Sequence, residues 1–186
     1  VSVALGLVSF SLGTDTAGSG RVPAAFNNIV GLKPSRGLLS ARGVVPACRS
    51  LDCISIFANC AADAQTVLDV AAGFDEQDPY SRDVANVPAG ASITPQGARV
   101  GVPKSENLEF FGDEAAEKLF HDAVSRAKGL GASIVEVDLA PFLEAARLLY
   151  EGPWVAERYV GIQEFFDAHP DAVHPVTREI IGGGAK

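Results

Sequence analysis

Residues 13–21, Gly-Thr-Asp-Thr-Ala-Gly-Ser-Gly-Arg, constrain this chain more than any other stretch, because they are a poor recipe for a regular core element. Gly13, Gly18 and Gly20 are interspersed with the small hydroxyl residues Thr14, Thr16 and Ser19 and with one charge of each sign, Asp15 and Arg21. Glycine serves where a backbone takes positive φ or passes close to another group, so a hydroxyl between Gly18 and Gly20 sits on an uncluttered loop. Ser19 is therefore the candidate nucleophile. A serine hydroxyl needs a base to take its proton, and the anion formed at the attacked carbonyl needs donors already aimed at it. The amides of Thr16, Ala17, Gly18 and Ser19 can converge on one oxygen if the turn is tight. A glycine-rich turn between a helix and a strand, without chemistry, is the alternative that composition alone leaves open.

The order of the residues says more than their composition. The stretch 13–21, followed by Val22-Pro23-Ala24-Ala25-Phe26 and Val30-Gly31-Leu32-Lys33-Pro34-Ser35, resembles the core of the amidase signature family. The resemblance implies a Ser-Ser-Lys triad with Ser19 as nucleophile, the amides of Thr16 to Ser19 as oxyanion hole, and Asp15 and Arg21 bracing the loop. Ala17 departs from the glycine of many members, which keeps the amide and reduces the loop's freedom. The family places the triad's lysine and cis-peptide serine upstream of a helix like residues 1–8. Residues 1–186 are thus expected to be a partial amidase signature domain, inactive by itself, whose missing N-terminal part carries both groups. Lys33, Lys104, Lys118, Lys128 and Lys186 are the lysines present, and none lies in the apolar, glycine-flanked setting a buried proton relay needs. Lys33 belongs to its own motif and is expected to be structural.

A second stretch, Leu148-Leu149-Tyr150-Glu151-Gly152-Pro153-Trp154-Val155-Ala156-Glu157-Arg158-Tyr159, has a helical pattern broken by Gly152-Pro153. A break there turns side chains of the two halves toward one corner. Arg158 offers planar paired donors for a carboxylate, and Tyr150 a hydroxyl that orients an amide. An amphipathic helix pair with core aromatics and a surface arginine is the plainer alternative. The stretch resembles allophanate hydrolases, a branch of the same family, in which the matching tyrosine and arginine hold urea-1-carboxylate while it is hydrolysed to ammonia and carbon dioxide. The resemblance implies a small amide substrate, no cofactor, and further N-terminal and C-terminal parts of the same enzyme. The amidotransferase component that converts misacylated glutamyl-tRNA is the nearest alternative in the family, and residues 148–159 argue against it. A non-catalytic remnant kept for interaction is the alternative outside it.

Composition excludes several classes. The 186 residues, 47% hydrophobic, are enough for a real core, and no apolar run approaches the roughly 20 residues of a membrane span. A net charge of −8 argues against nucleic acid, whose binding depends on lysine and arginine contacts to phosphate. Gly13 and Gly18 have phosphate-loop spacing, but Ser19-Gly20 stands where Lys-Ser/Thr is required. Cys48, Cys53 and Cys60 fit neither a disulfide framework nor a zinc knuckle and are expected reduced and mostly buried, as in a cytoplasmic protein. His121, His169 and His174 have no metal-ligand spacing.

The resemblance implies an α/β fold, a large mixed sheet flanked by helices, and the pattern of the residues places its elements. Residues 1–8 read as a helix and 9–12 as a short buried strand. Pro23 opens a helical turn, 29–32 is a strand ended by Pro34, 37–46 is loop and short strand, and 53–58 is a strongly apolar strand. Residues 61–72 form a helix with Ala64, Val67, Leu68 and Ala71 on one face and Gly73 closing it. Residues 74–97 are a long surface loop with solvated acids. Residues 99–102, a helix capped by Asp113 and carrying Leu119, Phe120, Ala123 and Val124, and residues 133–137 make a parallel βαβ unit. Unpaired sheet edges predict a homo-oligomer or another unusual contact between chains.

Overall fold

The computed structural model describes residues 1–83 and 94–185. The middle of the expected 74–97 loop, residues 84–93, and Lys186 lie outside the described residues. The chain divides into two compact units, Val1–Pro88 with Leu149–Lys186, and Ala89–Leu148. The architecture is α/β, but the strands form two small sheets, one of three strands and one of two, instead of one large sheet. Among the described residues, the first three strands pair only with one another, as do the last two.

In the first unit, β1 (Phe10–Asp15), β2 (Val30–Leu32) and β3 (Cys53–Ala58) pair antiparallel in the order β1-β3-β2. The register runs from Phe10 opposite Ala58 to Asp15 opposite Cys53. β3 is central because its sequence, Cys-Ile-Ser-Ile-Phe-Ala, can be covered on both faces. On one face Ile56 and Ala58 pack with Leu39 and with Ala64 of the helix α2 (Ala61–Ala71). Full burial of a side chain such as Ile56 stabilises by about 1.5–3 kcal/mol. The opposite face presents Cys53, Ser55 and Phe57, and there the glycine-rich loop comes down. Pro23 opens the short helix α1 (Val22–Phe26), as expected.

Several local expectations are corrected. Residues 1–8 are not a helix: one turn closes from the Leu5 amide to the Val1 carbonyl, and Gly6, at φ +68°, ends it. The strand expected at 9–12 runs instead to Asp15, since β3 supplies ladder partners for the first three residues of the motif. Residues 37–46 contain no strand. They are held as turns by two acids of the following loop, with the Ser40 hydroxyl donating to Asp75 and the Ala41 amide to Asp78. Asp78 is buried, not solvated. Gly73 does not close α2 with a left-handed residue; Ala72 turns extended and the Gly73 amide bonds the Leu38 carbonyl. Cys48 and Cys53 are buried thiols, and Cys60 is exposed.

The second unit is the βαβ element. β4 (Arg99–Pro103) and β5 (Ser133–Val137) pair in parallel, joined through α3 (Glu114–Gly129). The Asp113 carboxylate accepts the Ala116 amide at 2.9 Å, which caps α3. Of the expected apolar face, Phe120 and Val124 are half-buried while Leu119 and Ala123 stay exposed. The helix α4 (Ala140–Glu151) follows, and after Gly152-Pro153 the chain starts a new helix, α5 (Trp154–Ala168), then α6 (Pro175–Gly182). Among the described residues, no helix is long and apolar enough to cross a membrane.

Candidate active site

The loop between β1 and α1 is organised by a buried carboxylate. Asp15 is the last residue of β1 and has no solvent exposure. Its Oδ2 accepts the Gly20 amide at 3.0 Å and Arg21 Nε at 2.9 Å, and its Oδ1 accepts Arg21 Nη2 at 3.1 Å. Lys33 Nζ stands 3.4 Å from Oδ1 and donates to the Thr16 carbonyl at 3.4 Å. Burial by itself would push the Asp15 carboxyl up. The Arg21 and Gly20 hydrogen bonds, with the charges of Lys33 and Arg21, outweigh it and hold the group at about 2.

The loop thus leaves Asp15, turns, and is pulled back onto the same side chain five and six residues later. The Gly18 carbonyl closes the turn by accepting the amides of Arg21 at 2.9 Å and Val22 at 2.8 Å, which starts α1. Ser19 lies exposed at the tip. Among the described residues, the amides of Thr16, Ala17, Gly18 and Ser19 donate to no acceptor. Four free amides beside one hydroxyl are the components of an oxyanion site.

Two glycines are required by close approach. A Cβ on Gly20 would run into Cβ and Oγ of Ser55 on β3, and a Cβ on Gly31 would meet the Gly20 carbonyl. The loop is consequently seated on the sheet, backbone against backbone, which no larger residue permits.

A third brace comes from a residue that sequence reasoning did not single out. Thr16 Oγ1 donates to Asp52 Oδ1 at 2.6 Å, and the buried Asp52 also accepts the amides of Ala47 at 3.0 Å and Cys48 at 3.1 Å. The available signal was a single charge between Leu51 and the apolar strand Cys53–Ala58. Lys33, expected to be structural, finds its partner in Asp15.

Tyr150 and Arg158 are brought together. Tyr150 lies near the end of α4 and Arg158 in the second turn of α5, with the Arg158 guanidinium carbon 5.4 Å from the Tyr150 ring centroid. Both line a cavity of about 240 Å³, together with Pro46, Ala47, Ile162 and Ile181. Arg158 Nε is buried and has no hydrogen-bond partner among the described residues. A buried donor left unpaired costs about 1–3 kcal/mol. Ser19 does not line the cavity that Tyr150 and Arg158 share.

A family model described as Amidase matches residues 1–181. The chain is 45% identical over 190 residues to the urea amidolyase of Saccharomyces cerevisiae, a match covering 99% of this chain and 10% of that protein. It is 40% identical over 152 residues to one component of the glutamyl-tRNA(Gln) amidotransferase of Methanosarcina barkeri, covering 80% of this chain and 31% of that one. The solved allophanate hydrolase of Kluyveromyces lactis superposes with a TM-score of 0.87 at 43% identity, covering all of this chain and 30% of that one. The chain spans about a tenth of the length of the curated urea amidolyases it matches.

Proposed function

The chain belongs to the amidase family, and from that premise we propose that it forms the nucleophile-bearing part of an enzyme that hydrolyses allophanate to ammonia and carbon dioxide. The observation that carries the reading is Ser19, exposed at the tip of a loop locked by buried Asp15, beside four amides without acceptors. Ser19 Oγ attacks the amide carbonyl, the amides of Thr16, Ala17, Gly18 and Ser19 stabilise the oxyanion, and the C–N bond breaks as the leaving nitrogen takes a proton. Water then releases the acyl group from Ser19 as a carboxylated carbamate, which breaks down to carbon dioxide and a second ammonia. Tyr150 and Arg158 hold the substrate carboxylate, a role supported by the cavity that both residues line.

Lys33 is the lysine at the loop, and it is ion-paired to Asp15. The base is therefore proposed to come from outside the described residues, as the serine and lysine of a Ser-Ser-Lys triad, so that residues 1–186 alone have no appreciable amidase activity. The match to urea amidolyase at 45% over 99% of the chain, against 40% over 80% for the amidotransferase component, supports allophanate over a glutamyl-tRNA substrate.

The test is Ser19→Ala in the full-length protein, with ammonia release from allophanate as the readout. The expected result is loss of turnover with little change in thermal stability. A variant retaining more than about a hundredth of the rate would overturn the nucleophile assignment. Arg158→Lys, which keeps the charge and loses the fork, is expected to cut kcat/KM for allophanate about tenfold or more. Turnover by residues 1–186 alone would overturn the triad.

A further inference from the structure

Two carboxylates tie the Ser19 loop and the Arg158 helix to one short turn, residues 47–52. At one end of the turn Asp52 accepts the Thr16 hydroxyl at 2.6 Å and the amides of Ala47 and Cys48. In its middle Ser50 donates its amide to Glu157 Oε1 at 2.7 Å and its hydroxyl to Glu157 Oε2 at 2.5 Å. Glu157 is the residue before Arg158, and Pro46, just before the turn, and Ala47, its first residue, line the cavity that Arg158 lines. We propose that the 47–52 turn couples the two parts of the site, with Asp52 a positioning residue for the Ser19 loop and Glu157 a positioning residue for Arg158. The inference rests on the roles given to Ser19 and Arg158 above.

The physical argument is preorganisation. Oxyanion donors help to the extent that they are already oriented before charge develops, and Thr16 begins the run of free amides. Its hydroxyl is fixed on Asp52, and its carbonyl on Lys33. The Thr16 carbonyl shares its peptide plane with the Ala17 amide, so turning that amide breaks the bond to Lys33. At the other end Glu157 accepts through both oxygens from a single residue, which fixes the rotation of α5 at that turn and hence the direction of the adjacent guanidinium. Burial pushes the Glu157 carboxyl up, but the Ser50 hydrogen bonds and the nearby Arg36 charge hold it below its ordinary range, so it stays an acceptor in neutral solution. The Ser19 loop and the turn of α5 that carries Arg158 are thus each held through hydrogen bonds to a carboxylate at the 47–52 turn. Misalignment by about an ångström costs on the order of a hundredfold in rate, so a stiff link has a purpose.

The experiment uses the full-length protein with Asp52→Asn, Glu157→Gln and the double variant, measuring kcat, KM and melting temperature on allophanate. Asp52→Asn is expected to lower kcat about tenfold with KM moving less than about twofold, because it loosens groups that act in the transition state. Glu157→Gln is expected to raise KM about fivefold or more with the smaller effect on kcat, because it loosens the carboxylate site. The double variant is expected to depart from the product of the single effects by more than about twofold. Ser50→Ala, which removes one hydroxyl and keeps the amide bond to Glu157, gives a milder KM rise and serves if Glu157→Gln does not fold. Parallel changes of kcat and KM in both variants that track melting temperature, or a multiplicative double variant, would overturn the coupling. Ser19→Ala in the same assay separates the causes. If it is active, the functional reading fails and the coupling with it; if it is inactive while Asp52→Asn keeps its kcat, the coupling alone fails.

Discussion

Asp15 is the residue on which the loop depends, and its effect is measurable through pH. Its folded-state pKa of about 2 lies below the ordinary 3.8, so its stabilisation is fully present above pH 3.8 and is lost as pH falls through about 2. The difference is worth about 2 kcal/mol, taken for a fully buried group. The unfolding free energy of the wild type minus that of Asp15→Asn is expected to shrink by about that amount between pH 5 and pH 2. A difference that stays constant across the range would show that the ion pair with Arg21 does not depend on the carboxylate charge. Gly20 is the second test at this scale. Gly20→Ala drives a methyl into Ser55, and overpacking against a strand costs about 1–3 kcal/mol. Part of that loss is expected to return in Gly20→Ala with Ser55→Gly, read as melting temperature; no recovery would place the strain elsewhere. In the sequence, Gly20 was legible as a residue that had to be glycine, while Ser55, the reason for it, lies 35 positions away and carried no signal.

At the scale of elements, the clearest forecasts were those with their own local cause. β3 begins and ends at Cys53 and Ala58 as its apolar run does, and α3 starts where Asp113 can cap it. Asp113→Ala is expected to cost about 1 kcal/mol, with Asp113→Ser keeping most of it, seen as a lower melting temperature by circular dichroism. An unchanged melting temperature would mean that the hydrogen bond to Ala116 is replaced by water at no cost. The break between α4 and α5 was likewise legible, since Gly152-Pro153 removes helix propensity and a donor at one place. Elements failed where the cause was distant. β1 extends through Gly13 and Asp15 because β3 is there to pair with it, and residues 37–46 are shaped by Asp75 and Asp78.

For the whole molecule, the question raised by the sheet is what covers β1. It pairs only with β3 among the described strands, and Phe10 and Leu12 on it are exposed, as are Leu5 and Leu7 before it. An unpaired edge beside exposed apolar side chains promotes association. Residues 1–186 expressed alone are expected to sediment as oligomers at about 50 µM, and Leu12→Lys, a charge on the exposed strand, is expected to shift them toward monomer. A monomeric wild-type chain under those conditions would show that this surface does not self-associate.

The sequence by itself determined the family and singled out the loop of residues 13–21, because that information sits in consecutive residues: closely spaced glycines, a hydroxyl between them, and charges at fixed offsets. It also determined which helices and strands have internal causes, from caps, breaks and apolar runs. Only the tertiary structure decided which residues support the loop. Lys33 and Asp52 reach Asp15 and Thr16 across 18 and 36 positions of chain, and Ser50 reaches Glu157 across 107. Hydrogen bonds and buried charges act over a few ångströms of space, and a chain that folds back on itself sets those distances independently of sequence separation.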